Sequence, residues 1–130
     1  MIVAIDFGIT NTDVAVSNKS QYKFFSIPSK NAIESSIDEI ISLIDIDITE
    51  ISQIVVTGGK SNELNESFKG VNLTKISETD AIGYGTKEIY KIENEPFITL
   101  SCGTGTACIH HQDGQFSYIG GIAVGGGTIS

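Results

Sequence analysis

The sequence predicts an α/β protein with a mixed sheet, and three patterns carry that expectation. Apolar runs at Ile2–Ile5 and Ile51–Thr57 have the length and β-branched content of buried strands. Between them, isoleucines at 33, 37, 40, 41 and 44 repeat with the period of a helix. A strand, a small polar turn and a hairpin follow one another twice, at residues 2–27 and again at 97–119.

Each element has its own local reason. The run Ile2–Ile5 ends in Asp6, so a buried strand delivers a carboxylate at its C-terminal end. Gly8, Thr10, Asn11 and Thr12 form a turn, and Asp13–Ser17 reads as a second strand. Asn18–Ser20 is a second turn, and Tyr22–Ile27 a third strand closed by Pro28. Asn31 is expected to cap the helix, with Glu34 at the spacing of a capping box. Asp38 and Glu39 fall on its wet side, and the acid-rich stretch 45–50 reads as a solvated helix end or loop. Ile51–Thr57 should run parallel to the first strand and end in the tight turn Thr57-Gly58-Gly59. Residues 60–68 read as a short helix or loop, and Val71–Ile76 as an extended segment. Ser77 or Thr79 can cap a second helix running to about Ile92. Gly83 and Gly85 inside it would each cost roughly 1 kcal/mol against alanine, so something must approach that helix closely or its first turn is irregular. Pro96 breaks the chain, Phe97–Leu100 is a strand, and Ala107–His111 with Gln115–Ile119 is a hairpin around Asp113-Gly114.

The composition removes whole classes of function. The chain has 130 residues, 8 basic against 16 acidic side chains, and a net charge of −8. Nucleic-acid binding and docking on anionic membranes both need a basic face, so neither is expected. Every basic residue is a lysine. Any bound phosphate must then be held by backbone N–H groups, hydroxyls, lysine or a metal, never by an arginine fork. Two cysteines, Cys102 and Cys108, make no disulfide framework and read as small buried hydrophobes. His110 and His111 are adjacent on a strand and face opposite ways, which suits surface histidines better than a shared metal. No stretch resembles a signal peptide or a membrane span, so a cytoplasmic location is expected.

Two turns could carry chemistry. Asp6-Phe7-Gly8-Ile9-Thr10-Asn11-Thr12 puts a carboxylate beside a turn of backbone donors and hydroxyls, which suits Mg²⁺ and phosphate oxygens but also an ordinary hairpin. Gly103-Thr104-Gly105-Thr106 is a second turn of the same kind. Together they could hold a nucleotide from two sides. Glu78 stands just before the second helix, where the macrodipole favours its ionised form. It could be a proton acceptor or simply a capping acid.

These motifs resemble the superfamily of actin, sugar kinases and chaperone ATPases. More narrowly they are similar to type II pantothenate kinases. The resemblance rests on six segments in order: Asp6–Thr10, Thr57-Gly58-Gly59, Glu78-Thr79-Asp80-Ala81, Gly103–Ala107, Asp113-Gly114, and Gly120-Gly121 with Gly125–Gly127. Ile9 stands where the family has glycine, and Ser117-Tyr118-Ile119 where it has a substrate-contacting arginine. Asp6–Asp13 also looks like the start of hydantoinase and oxoprolinase chains of the same superfamily.

The resemblance implies a ribonuclease H-like lobe over 1–95 and the first strands of an incomplete second lobe over 96–130. It implies ATP-dependent phosphoryl transfer to a small-molecule hydroxyl, pantothenate foremost, with a nucleotide-gated activator as the rival reading. It implies Glu78 as catalytic base and Asp6 as the carboxylate near Mg²⁺. Gly8, Ile9, Thr10, Asn11, Thr12 and Asp13 would form one phosphate turn, and Gly103, Thr104, Gly105 and Thr106 the other. Gly126, Gly127, Thr128, Ile129 and Ser130 would begin a nucleotide-binding loop and helix. A glycine-rich loop normally leads into a helix, so the chain reads as truncated, expected to bind ATP weakly, to be inactive alone and to self-associate.

Overall fold

The structure is a computed structural model that describes residues 1–103 and 105–122. It divides into two compact units, one over Met1–Ile76 and one from Ser77 onward.

The first unit is a six-stranded mixed sheet. Its strands are β1 (Ile2–Phe7), β2 (Asn11–Asn18), β3 (Gln21–Pro28), β4 (Gln53–Thr57), β5 (Ser67–Phe68) and β6 (Val71–Lys75), in the spatial order β3-β2-β1-β4-β6-β5. β1, β2 and β3 form the expected antiparallel meander, while β4 runs parallel to β1 and β6 parallel to β4. Helix α1 (Glu34–Leu43) lies between β3 and β4 in sequence. It supplies the crossover that a parallel pair requires. This is the mixed α/β, ribonuclease H-like arrangement that the sequence predicts.

Alternation along the strands decides the two faces of the sheet. Val3, Ile5, Ile54 and Val56 are all at most 2% exposed, and they pack with Ile37 and Ile40 of α1. Their neighbours Ala4, Asp6 and Val55 therefore leave the opposite face. Asn31 does not cap α1. The N-cap position is Ile33, without a side-chain hydrogen bond, and Glu34 opens the helix. Glu34 instead accepts a hydrogen bond from Asn65 Nδ2 at 2.8 Å. Ile33 is 50% exposed, so the apolar face begins one turn later than its spacing suggests. The polar stretch after β4 holds a single 3₁₀ turn at Ser61–Glu63, followed by the two-residue strand β5.

The second unit packs helix α2 (Glu78–Tyr90) on a three-stranded antiparallel sheet, β7 (Phe97–Cys102), β8 (Thr106–Gln112) and β9 (Gln115–Ile122). Asp113 and Gly114 both adopt positive φ, 54° and 76°, as the β8–β9 turn requires. The close approach to α2 is real at Gly83, where a methyl group would overlap the Phe116 ring. Gly85 has open space around it. His111 is not a surface histidine: it is 1% exposed and stacks on Phe97 with ring centroids 4.7 Å apart. The cysteines also depart from expectation, since Cys102 is exposed and Cys108 only half-buried.

Candidate functional site

In the first unit the candidate residues gather at the C-terminal end of β1. Strand alternation buries Phe7 and turns Asp6 outward. Gly8 then starts a tight reversal, its N–H donating to the Asp6 carbonyl at 3.0 Å. A β-carbon at Gly8 would stand 2.5 Å from the Asn11 carbonyl oxygen, so only glycine closes this turn. Two bonds from the segment after β3 hold it. Ser29 Oγ donates to the Gly8 carbonyl, and the Lys30 N–H donates to Thr12 Oγ1, each at 2.9 Å.

That clamp decides what the turn can offer a ligand. Ile9, Thr10, Asn11 and Asp13 are exposed, and Ile9 is 84% exposed at the tip. Thr12 is turned inward and fully buried. Its hydroxyl therefore holds the turn's shape instead of facing solvent, against the expectation that it would serve as a further phosphate donor.

Asp6 has an oxygen-bearing neighbour on each side. Asp13 is its register partner on β2, and Thr57 its partner on β4. After Thr57, Gly58 and Gly59 take positive φ of 79° and 51°. A β-carbon on Gly58 would lie 2.7 Å from Asp6 Oδ1 and 2.8 Å from the Phe7 carbonyl oxygen. The carboxylate of Asp6 thus leans toward the end of β4. Thr57 was read only as part of a glycine turn; its hydroxyl is buried there and has no hydrogen-bond partner among the described residues. The threonine at the end of a parallel strand beside Asp6 was the available sequence signal. Carboxylates with a hydroxyl are a hard-oxygen donor set suited to Mg²⁺. Among the described residues no three His, Cys, Asp or Glu side chains cluster as a metal site. A cation here would complete its shell with water or phosphate oxygens.

In the second unit Ser77 caps α2, its Oγ accepting from the Asp80 N–H at 3.1 Å. Glu78 is the first helical residue and is exposed, with Asp80 in the same turn. The helix is tied to β7 by Thr99 Oγ1 donating to Thr86 Oγ1 at 3.0 Å. In the β7–β8 turn the Gly103 N–H donates to the Gly105 carbonyl at 2.8 Å, and Cys102 pairs with Thr106 at its base. Gly103 is exposed, Gly105 and Thr106 half-buried. Thr104 and Gly126, Gly127, Thr128, Ile129 and Ser130 lie outside the described residues.

No protein-family model matches the chain. Curated relatives do. It is 32% identical over 133 residues to a type II pantothenate kinase of Bacillus anthracis, covering 98% of this chain and 46% of that protein. It is 34% identical over 131 residues to the type II pantothenate kinase of Bacillus cereus ATCC 14579, with the same coverage. The chain thus spans about half the length of the curated relatives it matches. Among solved structures, the activator of 2-hydroxyisocaproyl-CoA dehydratase from Clostridium difficile, with bound ADPNP, superposes with a TM-score of 0.62. That likeness has 16% sequence identity and covers 93% of this chain and 44% of the activator. It shows the fold, that of the actin-like ATPases and sugar kinases. The chain is similar to type II pantothenate kinases over nearly all of its own length. No helix among the described residues is long and apolar enough to cross a membrane.

Proposed function

We propose that this chain, similar to type II pantothenate kinases, contributes to ATP-dependent phosphorylation of a small-molecule hydroxyl, with pantothenate as the acceptor. The observation that carries the reading is the 30–34% identity extending over 98% of the chain. The phosphates of ATP lie against the turn Gly8–Asp13 and against Gly103–Thr106, and Gly126–Ser130 continues the nucleotide contact. Asp6 is the carboxylate nearest Mg²⁺, which supplies charge neutralisation to the phosphates when bound. The enzyme acts in the cytoplasm.

Glu78 acts on the acceptor. It is exposed at the first position of α2, beside the Ser77 cap. It accepts the hydroxyl proton as the oxygen bonds to the γ-phosphorus, and ADP leaves. Phosphoryl transfer asks little more of the protein than positioned phosphates and this one proton acceptor.

The test is pantothenate-dependent ADP release in the presence of ATP and Mg²⁺, measured on the protein as its gene encodes it. Glu78→Ala, which leaves the Ser77 cap in place, should lower turnover by about 10²–10⁴-fold while ATP binding persists. ATP binding without any stimulation by pantothenate would overturn pantothenate as the acceptor. Unchanged turnover in Glu78→Ala would overturn Glu78 as the base.

A further inference from the structure

The first sheet has one long open edge. β3 is its outermost strand and pairs only with β2 among the described residues, while the strand at the other end, β5, has two residues. An open edge presents a row of backbone donors and acceptors that can template another strand. Folded chains usually blunt such an edge with a bulge, a short strand, charges or proline. β3 does little of this. Its register with β2 is unbroken over eight pairs, from Asn11↔Pro28 to Asn18↔Gln21. Lys23 is its one charged residue, and Pro28 stands only at its end.

The side chains of β3 add to the open backbone. Phe25 and Ile27 pack against the core, so Tyr22 and Phe24 leave the opposite face. These two rings are stacked, with centroids 6.2 Å apart, and Phe24 is 77% exposed. Charge is an independent observation. Residues 14–33 hold Lys19, Lys23 and Lys30 and no acid, in a chain whose net charge is −8. Lys30 pairs with Glu39, whereas Lys19 and Lys23 make no ion pair among the described residues. Two copies of so acidic a chain repel each other, and the β3 edge is where local charge opposes that repulsion.

We propose that β3 pairs antiparallel with β3 of a second copy, about a two-fold axis at Phe24, joining two six-stranded sheets edge to edge. A strand paired with itself about a two-fold axis is self-complementary by symmetry. Phe24 then stands opposite Phe24 of the second copy, Tyr22 opposite Ser26 and Lys23 opposite Phe25. The exposed rings pack together, and no lysine stands directly opposite a lysine. β5 is too short to extend the sheet from its other end, so this assembly closes at two copies. A strand edge is smaller than the roughly 800 Å² per partner of a standard interface, so the dimer should be weak, with a Kd on the order of 10⁻⁵–10⁻⁴ M. The pairing does not depend on the kinase reading.

The experiment is sedimentation velocity of the 130-residue chain at concentrations spanning that Kd, with circular dichroism to verify folding. Wild type should pass from monomer to dimer. Phe24→Lys should weaken the dimer by about tenfold or more. Ile89→Lys, at a comparably exposed apolar position on α2, should dimerise as wild type. The register is read by crosslinking in a Cys102→Ser, Cys108→Ser background treated with oxidised glutathione. Phe24→Cys should give a disulfide-linked dimer, because directly opposed residues lie within disulfide reach. Gln21→Cys should not. A wild-type chain that stays monomeric throughout would overturn the proposal. So would a dimer of unchanged affinity in Phe24→Lys, the result expected if copies met through the other sheet's edge strand, β7. A dimer that Phe24→Lys weakens but that never crosslinks at position 24 would overturn the antiparallel pairing, and species larger than a dimer would overturn its closure.

Discussion

At Gly58 the constraint is a single missing atom. The residue has a φ of 79°, and a β-carbon there would crowd both Asp6 Oδ1 and the Phe7 carbonyl. Gly58→Ala should therefore destabilise the chain by about 1–3 kcal/mol, the cost of a strained backbone position, and displace the Asp6 carboxylate as well. Chemical denaturation measures the first effect, and a crystal structure of the variant the second. An alanine variant as stable as wild type would mean that the turn relaxes without strain. A second residue-scale prediction concerns acid. The Thr49 N–H, and then its hydroxyl, hold the Asp47 carboxyl below its ordinary value of 3.8. A lowered folded-state value means that this contribution is complete above the ordinary carboxylate range. It is lost as pH falls through the lowered value. Asp47→Asn should flatten part of the fall in melting temperature between about pH 4 and pH 2 and leave the slope near pH 7 unchanged. An identical acid limb in the variant would show that the 3₁₀ turn at Ile48–Glu50 does not depend on the charge.

Two glycines of α2 make opposite predictions although the sequence presents them alike. At Gly83 an added methyl meets the Phe116 ring, which also packs edge-on against Tyr84 at 4.8 Å. At Gly85 it meets nothing. Gly85→Ala should stabilise the helix by about 0.5–1 kcal/mol, the ordinary gain from glycine to alanine. Gly83→Ala should destabilise by about 1–3 kcal/mol through overpacking. Thermal melts of the pair decide this, and equal signs would refute the packing of Phe116 on the helix. The periodic isoleucines, the strand runs and the Asp113-Gly114 turn were legible because each is a local pattern with one strong physical reading. The start of α1 was not. The capping-box spacing at Asn31 competes with a backbone bond from Ile33 N–H to the Asn31 carbonyl, and the chain takes the latter. The burial of His111 was also hidden. Alternation shows that His110 and His111 face opposite ways, but not which face α2 covers. At the candidate site, Asp6 and Gly8 were readable from the strand-to-turn switch. The inward Thr12 and the orphaned Thr57 depend on neighbours distant in sequence: Lys30 for the first, β1 for the second.

Charge acts on the molecule as a whole. Eight lysines face sixteen acids, and no arginine adds to them. The ion pairs Lys30–Glu39, Lys69–Asp38 and Lys91–Glu88 all lie on the surface, where each contributes about 0–1 kcal/mol. They leave the net charge of −8 untouched, and an excess of one sign destabilises the folded state by self-repulsion. Raising ionic strength from about 0.01 M to about 0.15 M shortens the screening length from roughly 30 Å to roughly 8 Å. The many weak repulsions should lose more than the few surface attractions, so the melting temperature should rise with NaCl. A fall would mean that the surface pairs outweigh the net charge.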